Sequence, residues 1–294
     1  MSLEETLKLM EKTELVSLED SLFPGGGLVW LPRGMKWKNL VYKQFYEILE
    51  LAGFEEMQLP RIVSSTTLDK VAEDFFDFRN GVYWLNDNEG RDRDKRYLNS
   101  TSDPVLNHFL SKKVKQNPKM IPMDIYLKEH LFRPVTGGVP FLRQEEHSGI
   151  IESYSLVWDE ESLNNAFTKS REMLKRFFDG LNLSYLEIDQ SMWGNKPVAK
   201  EVTSLQTLIP SLKGMARIGT TYKHHERFSR IFRVRRKDKN GRNEYAKQVG
   251  FGFGERFLLG LLEHHVDSYG FCFTSNTAPT QIAIISNDSS DRSK

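Results

Sequence analysis

Cysteine is almost missing from this chain: Cys272 stands alone among 294 residues. That excludes an intrachain disulfide and leaves no cysteine-based zinc cluster. Long apolar runs are missing as well, and nothing approaches the roughly 20 residues that a membrane-spanning helix needs. Met1-Ser2-Leu3-Glu4-Glu5 lacks the basic-then-apolar pattern of a secretion signal, so the expectation is a cytoplasmic protein with no membrane partner. A surplus of one charge is also lacking, since 41 Lys and Arg face 40 Asp and Glu for a formal net charge of +1. Strong nonspecific binding to nucleic acid is therefore not implied by overall charge. No repeat occurs at solenoid periods. The adjacent pairs His224-His225 and His264-His265 would point their side chains apart, which is not metal-ligand spacing. The length is that of one large domain or two small ones, enough to bury a sizeable core.

Three segments carry chemistry. Gly250-Phe251-Gly252-Phe253-Gly254-Glu255-Arg256 runs into the apolar stretch Phe257-Leu258-Leu259-Gly260-Leu261-Leu262-Glu263. Alternate glycines strip the side chains from one face of an extended segment. They serve either close packing of a strand under a helix or the approach of a flat ring to the backbone. Arg256, at the mouth of the helix, supplies a cation for phosphate oxygens. The second segment reads as strand, Gly/Pro loop and returning strand: Leu131-Phe132-Arg133, then 134–140, then Phe141-Leu142-Arg143-Gln144-Glu145-Glu146. The returning strand goes on through Glu152-Ser153-Tyr154-Ser155-Leu156-Val157-Trp158, whose rough alternation turns one face toward a pocket. The third is a helix over 35–53 with apolar Leu40, Val41, Phe45, Ile48, Leu49 and Ala52, stopped by Gly53 and followed by a strand ending in Leu59-Pro60.

In this order the segments resemble the three signature motifs of class II aminoacyl-tRNA synthetases, and within that class the prolyl-tRNA synthetase catalytic domain, with threonyl and seryl enzymes as relatives. Glu152-Ser153-Tyr154-Ser155-Leu156 is similar to the Asp-Ala-Tyr-Ser-Phe segment of bacterial-type prolyl enzymes. Thr101-Ser102-Asp103-Pro104 resembles the family's Thr-Ser/His-Glu substrate loop, and 263–270 resembles the turn after motif 3. The resemblance implies an α+β fold, a class II synthetase-type antiparallel β-sheet flanked by helices. It also implies an N-terminal helical segment at 1–20, a catalytic domain at 21–277, and at 278–294 the vestigial start of an anticodon-binding domain that is absent, followed by a disordered polar tail. Such a chain is either an excised fragment or a naturally short paralogue.

What the resemblance implies chemically is ATP- and Mg2+-dependent amino-acid activation, with transfer to the acceptor end of tRNA or another carrier. Arg133 and Arg256 would be the catalytic cations. The nucleotide would contact Arg133, Arg143, Glu146, His147, Gln248, Gly252, Gly254 and Arg256. The amino acid, proline or another small one, would contact Thr101, Asp103, Arg133, Glu152, Tyr154, Thr220 and Gly250. A homodimer through motif 1 is implied as well.

The pattern also departs from the family. Motif 2 reads Phe-Arg-x-Glu there, whereas Phe132-Arg133 is followed here by Pro134-Val135, so the carboxylate that faces the adenine amine is missing. Arg217 and Tyr222 replace the flanks of the Gln-x-Gly-Thr-x-His segment, leaving Thr220 in place. Amino-acid specificity need not be proline. Two other functions stay open: an amino-acid- or nucleotide-binding regulator, and a structural accessory subunit. Residues 230–243 interleave basic and aromatic side chains and could touch an acceptor stem, but their alternation and Asn240-Gly241 describe a β-hairpin with a solvated face. The charged stretch 86–96 reads as an exposed turn between strands, and 161–180 as a helix packed on the sheet.

Overall fold

The computed structural model describes residues 1–18, 25–71, 81–85, 95–190 and 198–285. Its helices are α1 Leu3–Lys12, α2 Pro32–Leu51, α3 Ser65–Asp69, α4 Ser102–Gln116, α5 Glu160–Gly180, α6 Arg227–Phe232 and α7 Arg256–His264. The strands begin with β1 Val16–Ser17, β2 Val29–Trp30, β3 Glu55–Met57, β4 Ile62–Ser64, β5 Trp84–Leu85, β6 Arg96–Leu98 and β7 Met123–Phe132. They continue with β8 Glu146–Val157, β9 Leu186–Gln190, β10 Glu201–Ile209, β11 Gly214–His225, β12 Arg235–Lys237, β13 Asn243–Tyr245 and β14 Lys247–Phe253. None of the helices is long and apolar enough to cross a membrane, among the described residues.

A seven-stranded sheet in the order β3-β7-β8-β14-β11-β10-β9 forms the centre. All its neighbours run antiparallel except β3 and β7, which pair parallel over Glu55–Met57. The expected α+β class holds, with this one parallel edge added. β3 ends at Met57, short of the expected Leu59-Pro60.

Helices α2, α5 and α7 cover one face. α5 starts where Asp159 accepts a hydrogen bond from Ser162 N at 2.7 Å, and it buries Leu163, Phe167, Leu174, Phe177 and Phe178 at helical spacing. These side chains join Val41, Phe45 and Leu49 of α2 and Val249, Phe251 and Phe253 of β14 in one apolar cluster. Met10, Leu15 and Val16 belong to it too, so α1 and β1 pack on the same core. Gly53 follows α2 at φ 87, a left-handed conformation that glycine adopts at no steric cost. A second cluster on the other face joins α4, α6 and the small β4-β6-β5 sheet to Ile125, Leu127, Tyr154 and Leu156.

The hairpin expected over 230–243 is present only in part. β12 and β13 pair around Gly241, which has φ 75, but Arg230–Phe232 ends α6. Phe228 and Phe232, four residues apart, are both buried and lie on one helical face against α4, and that packing overrides the alternation. Residues 86–94 of the expected charged turn, and the tail from Ser286, lie outside the described residues.

Gly252 is a point of close approach. A Cβ there would lie 1.9 Å from the Ile151 carbonyl oxygen, a contact that only backbone movement could relieve. Gly252→Ala is expected to destabilise the protein by about 1–3 kcal/mol, read as a lowered urea midpoint.

Candidate active site

The site is a trough in the central sheet. Gly250 and Gly252 lie side by side in register with β8 and β11: Glu152↔Gly252↔Thr220 and Tyr154↔Gly250↔Tyr222. At Gly250 and Gly252 the middle strand has no side chain on this face, so its neighbours form walls and the glycine backbone forms the floor. Val249, Phe251 and Phe253, at the alternate positions, point into the apolar core. Both readings of the glycines therefore hold at once, close packing at Ile151 and an open floor. The cavity measures about 160 Å³ and is lined by Asp103, Glu152, Tyr154, Thr220, Tyr222 and His224 among others. A cavity of about 150 Å³ can accept a benzene ring.

One end is acidic. α4 begins after Thr101, whose side chain makes no cap hydrogen bond, and brings Asp103 toward β8 and β14. Gln248 Nε2 donates to Asp103 Oδ1 at 3.0 Å, and Asn107 Nδ2 donates to Gln248 Oε1 at 2.9 Å. Tyr154 Oη donates to Glu152 Oε2 at 3.2 Å. Burial raises the Asp103 carboxyl. Burial, and after it the Asp103 charge, raises that of Glu152. Glu129, 5% exposed, is pushed up to about 7, by burial first and then by Glu152. An ammonium group would relieve this clustered negative charge.

Glu129 carries a stability prediction. Its folded pKa stands above its ordinary 4.5, so the folded state holds the proton more tightly than the unfolded chain. Its contribution is fully present below about 4.5 and is lost as pH rises through about 7. Glu129→Gln is expected to reduce the fall in Tm across that window and to raise Tm at pH 8, as followed by thermal unfolding.

The other end is basic. Arg133 closes β7, with its Nε donating to Ser100 O at 2.9 Å, and its terminal nitrogens have no acceptor among the described residues. Arg256 opens α7 and donates from Nη2 to Leu142 O at 3.0 Å. Its Nε is buried without a partner among the described residues. Burial lowers the Arg256 pKa, and Arg217 lowers it further. His147 lies beside both arginines: burial first, then Arg133 and Arg256, hold it down to about 4. Arg133 also acts electrostatically on Glu152, which it lowers, so the basic and acidic ends adjoin.

Behind the trough, Lys38 of α2 forms a buried ion pair with Glu255, to which Ser148 Oγ donates at 3.2 Å. The pair locks α2 against the residue preceding Arg256. Lys38→Met leaves Glu255 buried without its cation and is expected to cost about 3–5 kcal/mol, measured by chemical denaturation.

The structure brings Asp103, Glu152, Tyr154, Thr220, Gly250 and Gly252 to one cavity, and puts Arg133 and Arg256 within electrostatic reach of His147. Gln248, expected at the nucleotide, sits instead with Asp103. Arg143 is exposed on the loop. Glu146 is exposed and lies against the His130 ring. Gly254 lies where a Cβ would meet Ile150 at an ordinary 3.6 Å. Sequence reasoning missed Glu129, His224, Asn107 and Lys38. Glu129 did leave a signal, since it occupies the apolar register of Ile125, Leu127 and Leu131 in β7.

The fold is a mixed sheet with helices on both faces, and its candidate site is a glycine-floored trough with an arginine at each of two motif positions. Residues 83–265 match the family model described as tRNA synthetase class II core domain (G, H, P, S and T), and the chain belongs to that family. Among curated proteins it is similar to the proline–tRNA ligase of Archaeoglobus fulgidus, 28% identical over 278 residues that cover 94% of this chain and 58% of that protein. The proline–tRNA ligase of Ignicoccus hospitalis is 26% identical over 266 residues, covering 90% of this chain and 55% of that protein. Among solved structures, Giardia lamblia prolyl-tRNA synthetase in complex with prolyl-adenylate superposes with a TM-score of 0.84 at 19% identity, covering 94% of this chain and 55% of that one. The chain thus spans less than two thirds of the length of these relatives.

Proposed function

We propose that the chain activates an amino acid with ATP, forming an aminoacyl-adenylate and releasing pyrophosphate, for transfer to the acceptor end of tRNA or another carrier. The observation that carries this reading is the adjacency of an acidic subsite at Asp103 and Glu152 to a basic one at Arg133 and Arg256. An amino acid is a zwitterion, so its ammonium fits the first and its carboxylate borders the second. The resemblance to prolyl enzymes supports proline or another small amino acid as substrate.

In the reaction, a carboxylate oxygen attacks the α-phosphorus and the bond to the β-phosphate breaks, so negative charge must be held on both sides of that bond. Arg133 would hold the carboxylate and α-phosphate, and Arg256 the terminal phosphate. Both act by alignment and charge stabilisation, and no general base is needed. His147, kept neutral at neutral pH by burial first and then by its cationic neighbours, would lie against the adenine.

Magnesium would arrive with the nucleotide. Among the described residues no group of three or more His, Cys, Asp or Glu side chains could hold a metal ion. A magnesium–phosphate complex needs only one or two protein carboxylates, with phosphate and water oxygens completing its shell. We also propose a homodimer through α2, where Leu51 is exposed beside half-buried Leu40 and Ile48. The test of the activity is amino-acid-dependent pyrophosphate exchange into ATP across all twenty amino acids. Exchange with one amino acid supports the reading; silence at high enzyme and ATP overturns it in favour of a binding paralogue.

A further inference from the structure

Beside the acidic end, the wall that β11 gives the cavity is polar, where a hydrocarbon ring would want apolar contact. His224, 4% exposed, lines the cavity with Tyr222 and Thr220 from the same face of β11. Its ring is fixed by stacking on Tyr222 with centroids 5.5 Å apart and by an edge contact with Phe228 at 5.0 Å. Nδ1 lies 2.8 Å from Val198 O. A carbonyl can only accept, so Nδ1 carries the ring proton and Nε2 presents a bare lone pair. Burial holds the imidazole down to about 4, so it is neutral at neutral pH.

Nε2 faces the glycine floor, where a Cβ on Gly250 would lie 2.9 Å from it. It stands 3.6 Å from Asp103 Oδ1, beyond hydrogen-bond distance. Among the described residues nothing donates to it. Nε2 is thus a buried acceptor with no donor, an arrangement that is costly until one enters. The remaining charges are assigned elsewhere: the ammonium belongs to Asp103 and Glu152, and the carboxylate to Arg133. The bare acceptor is left for the substrate's side chain.

We propose that the cognate amino acid carries a hydrogen-bond donor on its side chain, a hydroxyl or an amine, received by His224 Nε2, and that the hydrocarbon ring of proline is discriminated against. This inference rests on the activation reading and sharpens it by naming the substrate class. A pocket built to receive a donor rejects the analogue that lacks one far more strongly than an apolar pocket rejects an added hydroxyl, because the unpaired acceptor stays buried.

The test uses the full chain. Proline, cis- and trans-4-hydroxyproline, serine and 2,4-diaminobutyrate are compared by calorimetric binding in the presence of a non-hydrolysable ATP analogue, and by pyrophosphate exchange. The hydroxylated and amino-bearing probes separate the two donor types. The expected result is a donor-bearing probe favoured over proline by about 100-fold or more. His224→Leu should collapse that preference to within a few-fold while leaving proline no weaker. His224→Gln, which keeps an acceptor, should retain part of the preference and guards against a folding defect in the leucine variant. Proline bound and activated as well as or better than every donor-bearing probe would overturn the inference while leaving the activation reading standing. Selective binding of a donor-bearing probe without exchange would support the pocket assignment and overturn the activation reading instead.

Discussion

Arg256→Ala is expected to lower amino-acid-dependent pyrophosphate exchange by about 100- to 1,000-fold, the scale of losing one preorganised charge-stabilising donor. The guanidinium is held before any ligand arrives, by the Leu142 carbonyl on Nη2, and its Nε faces inward with no acceptor among the described residues. Burial and Arg217 both disfavour its charge, so the cation costs the empty fold something. The alanine variant should therefore keep or slightly raise its Tm while losing activity. A purely structural arginine would show the reverse, a lowered Tm with exchange reduced only in proportion to the folded fraction. Arg256→Lys should fall between wild type and alanine, because an ammonium restores the charge but not the planar fork.

Glu152→Gln is expected to raise KM for the amino acid by about 10- to 100-fold, as for loss of a charged hydrogen bond of roughly 1.5–3 kcal/mol. KM for ATP should stay within about threefold of wild type, a margin well below that loss. The residue sits between Gly252 of the floor and Tyr154 Oη, and it shares its buried environment with Asp103 and Arg133. The pH dependence follows from the sign of its shift. Because the carboxyl is raised, wild-type affinity should strengthen as pH rises and the Asp103–Glu152 pair ionises, and this acid limb belongs to the pair and not to either residue alone. In Glu152→Gln the limb should become shallower. Unliganded stability should move the opposite way: a buried acid with a raised pKa destabilises the fold as pH rises, so the variant should melt higher than wild type at pH 8. Steady-state kinetics and melting curves over the same pH series check both.

The sequence made the trough legible but not its chemistry in full. Gly250, Gly252 and Gly254 at alternate positions, Glu152 and Tyr154 in a strand of the same parity, and Arg256 at a helix mouth are local patterns, and local patterns survive in one dimension. The pairing Glu152↔Gly252↔Thr220 depends on strand order, which no local pattern encodes. Gln248 shows the consequence. The resemblance implied a nucleotide contact for it, whereas α4 brings Asp103 and Asn107 against it. Lys38 and Glu255 are 217 residues apart and look like ordinary helix-surface charges until α2 closes over β8. His224 looked like half of an adjacent pair. Only the Val198 carbonyl, which fixes its tautomer, makes its other nitrogen an acceptor in the cavity. Over 230–232 the reading failed because Phe228 and Phe232 bury together on one face of α6 against the α4 cluster.

The most direct test of the joined subsites is calorimetric binding of non-hydrolysable prolyl- and 4-hydroxyprolyl-sulfamoyl adenosine, each compared with its free amino acid and with AMP. If the acidic and basic ends form one adenylate site, at least one joined analogue should bind about 100-fold or more tighter than either of its parts, with Arg256→Ala and Glu152→Gln each weakening it. Affinity no greater than that of the better part alone would contradict a single adenylate-binding trough.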